Sequence, residues 1–71
     1  TKRLIKFSER LRKLRELEGI SQRELSSRCD VDFAKISKIE NNKANLYITT
    51  LFELAEGLGV HPKELLDFDF E

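Results

Sequence analysis

A chain of 71 residues and 8.3 kDa accommodates one small domain, with 39% hydrophobic and 37% charged residues. These values exclude a disordered tail, which would combine few large apolar residues with a large net charge. No segment approaches the roughly 18 consecutive apolar residues that a membrane span needs. The net charge is zero, but twelve Lys/Arg and seven Asp/Glu leave residues 1–43 at +5, whereas one Lys and six Asp/Glu leave residues 44–71 at −5.

The first predicted helix ends before Gly19, a residue that favours a left-handed C-terminal cap. Its apolar positions recur at intervals of three or four residues, which predicts one buried face: Leu4, Phe7, Leu11, Leu14 and Leu17. Ser21 and Glu24 have the spacing of a capping box and start a second helix that turns Leu25 inward. We expect this helix to stop near Asp30, because Asp tolerates the left-handed turn conformation.

The remaining predicted elements are also helical. Asp32 caps a third helix that buries Ile36 and Ile39, after Val31 has entered the core. A polar turn over residues 41–45 leads to a fourth helix whose apolar positions are Ile48, Leu51, Phe52, Leu54, Ala55 and Leu58. Gly59 ends that helix, and Pro62 opens a fifth through Leu65 and Leu66. The fold is therefore predicted as an all-α, five-helix bundle forming one domain over residues 1–71.

Catalytic and metal chemistry lack the residues that they need. Cys29 and His61 are the only cysteine and the only histidine, and each has a structural interpretation at a helix end. Three glycines do not form a phosphate-binding loop. We expect no enzymatic activity, no catalytic residue, no metal and no cofactor. The lone cysteine and a charged N-terminus without a signal peptide favour the cytoplasm, and the absence of Met places the translation start upstream of Thr1.

The second and third helices, with their short connection, form a helix-turn-helix unit over about residues 21–41, and helices four and five occupy about residues 47–66. Two helices joined so closely cross steeply, which lets the second enter a DNA major groove about 12 Å wide. The outward face of the third helix carries no acidic residue and is the predicted base-reading face: Phe33, Ala34, Lys35, Ser37 and Lys38. The alternative is a solvated helix of a bundle that never contacts DNA.

Several segments resemble the Cro/repressor-like (XRE) helix-turn-helix family. They are residues 11–15 (LRKLR), 19–25 (GISQREL) and 36–41 (ISKIEN), with residues 50–60 and 62–66 similar to that family's fourth and fifth helices. The segment at residues 45–48 (NLYI) is similar to the small controller proteins of restriction–modification systems. The resemblance covers about residues 7–66.

The resemblance implies a role for individual residues. Gln22 would contact a phosphate and brace the start of the recognition helix, while Arg15 and Glu40 would form a partly buried ion pair. The phosphate contacts also include Arg23, Asn41, Asn42 and Lys43. Such contacts position a protein on DNA without reading its sequence.

This chain departs from the family at several of these positions. Ser26, Asp30 and Asn42 replace a small Ala and two glycines. Phe33 and Ala34 stand where relatives carry hydrogen-bonding side chains, which shifts base reading toward Lys35, Ser37, Lys38 and DNA shape. Three roles are open for Phe33: contact with a thymine methyl, packing against the second helix, or contact with a protein partner.

The sequence thus predicts a cytoplasmic transcriptional regulator, such as a repressor, that binds double-stranded DNA sequence-specifically at a palindromic operator. Two alternatives are a helical adaptor that binds a protein partner and an antitoxin that binds both DNA and a protein.

A homodimer is expected, because one short recognition helix discriminates too few base pairs by itself. Its predicted interface lies in the acidic half: Val60, Pro62, Leu65, Leu66, Phe68 and Phe70. The alternative is that Phe68 and Phe70 fold back on their own subunit.

Overall fold

The computed structural model describes residues 2–69, which form five helices. They are α1 (Lys2–Glu18), α2 (Gln22–Ser27), α3 (Phe33–Glu40), α4 (Ile48–Leu58) and α5 (Pro62–Leu65). Over residues 2–69 no strand is present, so the all-α prediction is confirmed. None of these helices is both long enough and apolar enough to cross a membrane.

The helix ends follow from local capping. Ser21 Oγ accepts a hydrogen bond from the Glu24 N–H at 3.0 Å and starts α2, and Asp32 Oδ1 accepts from the Lys35 N–H at 2.7 Å and starts α3. Gly59 ends α4 in the left-handed conformation, with φ of 72°. These ends lie where the sequence predicted them.

Helix α1 contacts α3, α4 and α5, and α2 contacts α3 and α4, so the core lies between α1 and the other helices. Its apolar residues are Phe7, Leu11, Ile20, Leu25, Val31, Ile36, Ile39, Leu51, Leu54, Ala55, Leu58 and Leu65. Ser8 is also buried, and its hydroxyl lies 2.6 Å from the carbonyl oxygen of Ile39 and 2.9 Å from that of Leu4. This serine connects α1 to the end of α3.

Three apolar residues predicted on buried helix faces are exposed instead. Leu17 is 72% exposed, because two successive steps of three residues after Leu11 rotate its side chain back by about 120°. Ile48 is 61% and Phe52 52% exposed, since α4 buries only the side of Leu51, Leu54, Ala55 and Leu58. These three predictions were wrong, and the exposed pair on α4 leaves an apolar strip there.

The turn between α2 and α3 does not contain the left-handed Asp30 that the sequence predicted. Helix α2 ends at Ser27, and the only non-glycine residue with positive φ in residues 2–69 is Asn42, so Asp30 is not left-handed. Instead, the Asp30 N–H donates to Glu53 Oε1 at 2.8 Å. A carboxylate of α4 therefore fixes the turn that sets the angle of α3.

Gly57 is buried in α4, where that helix lies against Leu25 of α2. A Cβ at this position would lie 2.8 Å from Leu25 Cδ1 and 3.1 Å from Cys29 Cβ. Real Cβ atoms almost never approach a neighbour so closely. The missing side chain is thus what permits this helix separation.

Candidate nucleic-acid interface

Helix α3 has one buried and one outward face. Ile36 and Ile39 are buried against the core, while Ala34 and Lys38 are exposed and Phe33, Lys35 and Ser37 are half-buried. The one carboxylate within α3, Glu40, is buried with Ile36 and Ile39 rather than exposed with Lys38. The outward face therefore presents cations and short side chains without a negative charge.

Glu40, the last residue of α3, lies at the centre of a cluster of hydrogen bonds. Arg15 donates from Nε to Oε2 at 2.8 Å and from Nη2 to Oε1 at 3.0 Å, which is a bidentate pair. Gln22 Nε2 and Arg12 Nε donate to Oε1 at 3.0 and 3.3 Å. The cluster ties the end of α3 to α1 and to the start of α2.

The hydrogen bonds and charges of this cluster shift the pKa values of Glu40 and Arg15. Burial by itself raises the pKa of the Glu40 carboxyl, but hydrogen bonds from Arg15 and Gln22, the charge of Arg15 and the hydrogen bond from Arg12 outweigh it and hold that pKa below its ordinary value. The hydrogen bond to Glu40 likewise raises the pKa of Arg15. Both groups are thus ionised at neutral pH, and α3 is held by a charged contact.

Gln22 contacts a different part of α3 from the one that the family resemblance implied. It is half-buried, and its amide binds the carboxylate at the end of α3, so it braces the end of that helix and not its start. Its phosphate contact stays a prediction. Arg12 was missed, although it lies one helical turn from Arg15 and therefore on the same face of α1.

At the start of α3, the ring of Phe33 lies under a guanidinium. Arg23 Cζ, from α2, is 4.2 Å from the ring centroid. Phe33 is half-buried and Arg23 is exposed. Among the roles open for Phe33, the structure thus places its ring against a side chain of the second helix.

A second cation, Lys35 of α3, also lies over an aromatic ring. Lys35 Nζ is 5.4 Å from the centroid of Tyr47, which precedes α4 and is 65% exposed. Tyr47 was not among the residues predicted for this surface, although a lone tyrosine in a polar connection was a usable signal. Ser37 is also engaged locally, since its hydroxyl accepts from Asn41 Nδ2 at 3.4 Å.

The loop after α3 extends the same surface. Asn41, Asn42 and Lys43 are all exposed, and Asn42 adopts a left-handed φ of 60°. The Lys43 N–H donates to the carbonyl of Lys38 at 2.8 Å, which holds the loop against the end of the helix. Three polar side chains thus project beside the outward face of α3.

The residues expected at a dimer interface fall into different environments. Leu65 is fully buried in the chain's own core, so its assignment to a dimer surface was wrong. Val60 and Phe68 pack partly buried against that core, and Pro62 is half-buried. Leu66 alone of the described set is largely exposed, at 50%, and Phe70 lies outside the described residues.

The cysteine and the histidine both have structural partners. Cys29 Sγ donates to the Leu25 carbonyl at 3.3 Å, and burial raises the pKa of its thiol, which opposes formation of a nucleophilic thiolate. His61 Nδ1 accepts from the Lys63 N–H at 3.1 Å and caps α5. Within residues 2–69 no group of three or more His, Cys, Asp or Glu side chains is arranged to hold a metal ion.

Comparisons with known proteins agree with this geometry. A family model described as helix-turn-helix matches residues 11–65. The chain is 35% identical over 63 residues to Control protein C.BamHI of Bacillus amyloliquefaciens, covering 87% of this chain and 78% of that protein.

Solved structures are similar over nearly the whole chain. The restriction-modification controller protein C.AhdI from Aeromonas hydrophila superposes with a TM-score of 0.84 at 34% identity, covering 87% of this chain and 90% of that one. The restriction-modification controller protein C.Esp1396I, as a tetramer in complex with its natural 35-base-pair operator, gives a TM-score of 0.79 at 33% identity, covering 90% and 95%.

Proposed function

The chain belongs to the helix-turn-helix family, and we propose that it is a transcriptional regulator that binds operator DNA with α3 as its recognition helix. The observation that carries this proposal is the outward face of α3. It bears Lys38 and Ala34 exposed and no carboxylate, on a helix whose end is held by the Glu40 cluster. A helix held at a fixed angle with a cationic outer face suits a major groove lined by phosphates.

The relatives support the same function. C.Esp1396I has been seen bound to its operator as a tetramer, and C.BamHI and C.AhdI are control or controller proteins. We infer that this chain likewise acts on DNA in the cytoplasm, as an assembly of identical copies and without a cofactor.

The contacts divide into two classes under this proposal. Lys38, Lys35 and Ser37 face the groove and read bases, with Ala34 close enough for apolar contact. Asn41, Asn42 and Lys43 contact phosphates from the loop beyond α3, together with the remaining donor of Gln22. The acidic residues of the C-terminal half stay away from the DNA.

Binding to duplex DNA is expected to weaken as salt rises, since each phosphate contact releases counterions. Replacement of Lys43 by alanine should weaken binding to all duplexes by similar factors and flatten the slope of log affinity against log salt by about one unit. Fluorescence anisotropy with operator and random duplexes at several salt concentrations measures both quantities.

The matched control is Lys63→Ala, which removes an exposed lysine from α5 in the acidic half. It should leave both the affinity and the slope unchanged. A wild-type protein without salt-dependent binding would instead support the adaptor alternative, and a Lys43→Ala protein with a changed preferred operator would show that Lys43 reads bases.

For the homodimer, we propose a surface made of the apolar residues that the fold leaves exposed in the acidic half. Ile48 and Phe52 lie one turn apart on α4, and Leu66 follows α5. The −5 charge of residues 44–71 opposes association of two copies, and salt screens that repulsion. The dimer is therefore weak and tightens with salt, while DNA binding loosens.

Sedimentation velocity over a concentration series tests this surface. Wild type should form dimers at high micromolar concentration, and the double variant Phe52→Asp, Leu66→Asp should stay monomeric. Leu17→Asp is the matched control, because Leu17 is even more exposed but lies at the end of α1. A wild type that stays monomeric at high salt, or a double variant that still dimerises, contradicts the proposed surface.

A further inference from the structure

The stack of Arg23 on Phe33 has a geometry suited to reading a base. The guanidinium carbon lies over the ring, 4.2 Å from its centroid, so the cation contacts the aromatic ring. A guanidinium carries its five N–H donors at its edge, in a planar fork. The contact with the ring therefore restricts the position of the fork without using its donors in a hydrogen bond to an oxygen atom.

Arg23 differs in this respect from the two arginines of α1 that approach the helix-turn-helix unit. Arg15 and Arg12 both donate to Glu40, and Arg15 also donates to the Ile20 carbonyl. Arg23 has no carboxylate within 4.0 Å among the described residues, and it is exposed. Its charge is thus held in place but is not neutralised by the protein.

The position of the stack is the first turn of α3. Phe33 is the first residue of that helix, directly after its N-cap Asp32. In helix-turn-helix proteins the N-terminal residues of the recognition helix contact base edges. The next residue of α3, Ala34, is exposed and carries only a methyl side chain.

On the premise of the proposed DNA-binding function, we propose that Arg23 reads a guanine in each half-site and that Phe33 is the residue that positions it. Arginine donates two hydrogen bonds to O6 and N7 of guanine, the commonest specific contact in the major groove. The hydrogen-bonding side chain absent at position 33 is thus supplied from α2, and Phe33 contributes a rigid platform rather than a base contact. This assigns Arg23 to base reading instead of the phosphate contact predicted from the sequence.

Selection from a duplex DNA library with a randomised central segment tests the proposal. Wild type should enrich sequences with a guanine at one fixed position per half-site. Arg23→Lys keeps the charge but loses the planar fork, so the preference for that guanine should fall by between about 5-fold and 150-fold, the range of a bidentate contact. Preferences at the other positions should persist.

Phe33→Leu keeps an apolar side chain but removes the aromatic face. It should lower the preference at the same position by about 2- to 5-fold, as expected for loss of an exposed cation–π contact. The double variant Arg23→Lys, Phe33→Leu should lose no more of the guanine preference than Arg23→Lys alone. Arg28→Ala, an exposed arginine at the other end of α2, is the control and should leave all preferences unchanged.

Each remaining outcome overturns the inference in a recognisable way. If Arg23→Lys retains the guanine preference, or Arg23→Ala weakens operator and random duplexes equally, Arg23 is a phosphate contact and the DNA-binding function still stands. If Phe33→Leu changes a different position, Phe33 touches a base itself. If wild type enriches no sequence, the proposed function fails together with the inference.

Discussion

Replacement of Glu40 by alanine is expected to destabilise the fold by about 3–5 kcal/mol, because it leaves the charge of Arg15 buried without its partner. The side chain of Arg15 is only 13% exposed and that of Glu40 is fully buried. The free energy of unfolding of a native protein is only about 5–15 kcal/mol, so this loss removes a large part of the stability. Urea unfolding followed by far-UV circular dichroism measures the change.

Two controls separate the buried pair from charge effects in general. Glu64→Ala removes a carboxylate that is 41% exposed and lies 3.5 Å from Arg10, and it should cost no more than about 1 kcal/mol. The double variant Arg15→Met, Glu40→Met should be more stable than Glu40→Ala, since no buried charge of Arg15 is left unpaired. A Glu40→Ala protein as stable as Glu64→Ala would contradict the interpretation.

The pair of Arg15 and Glu40 also makes the stability of the fold depend on pH, and the sign follows from the direction of the Glu40 pKa shift. The pKa of Glu40 is lowered in the folded protein, so its contribution is present above its ordinary value of 4.5 and is lost as the pH falls through the lower folded value. The difference in stability between wild type and Glu40→Gln should therefore shrink as the solution is acidified below that pH.

Replacement of Gly57 by valine is expected to cost about 1–3 kcal/mol, the range of overpacking in a dense core. A Cβ there would lie 2.8 Å from Leu25 Cδ1 and 3.3 Å from Cys29 Sγ, and Leu25 is itself fully buried. The higher helix propensity of valine offsets only a few tenths of a kcal/mol of this. Thermal and urea unfolding measure the loss.

Glu56→Val places the same side chain on the exposed neighbour in α4 and should change the stability by about 0.5 kcal/mol or less. Combining Gly57→Val with Leu25→Ala should cost less than the two single changes added together, because the smaller side chain gives room to the new one. Additive effects, or equal effects of Gly57→Val and Glu56→Val, would show that the helices separate without strain.

The division of roles at the DNA surface follows from the same contacts. Glu40 holds the end of α3 on α1, and Glu53 holds the turn before α3, so the angle of the recognition helix is set by two carboxylates from outside its reading face. The cations on that face, such as Lys38, are then left for the nucleic acid. These two negative charges thus serve the fold.

The sequence by itself determined the elements and the class of function. The starts of α2 and α3 were predictable from Ser21 and Asp32, and the end of α4 from Gly59, because a cap acts on residues within about one turn along the chain. The helix-turn-helix unit and the separation of charge were likewise visible without coordinates.

Only the tertiary structure decided which side chains meet. Asp30 and Glu53 are 23 residues apart, and their hydrogen bond exists because α4 crosses the turn before α3. The stack of Arg23 on Phe33 depends in the same way on the crossing of α2 and α3. Helical periodicity describes one helix about its own axis, whereas burial and pairing depend on where the neighbouring helices lie. This is why Leu65, apolar and in a predicted helix, was placed at a dimer surface although it completes the core.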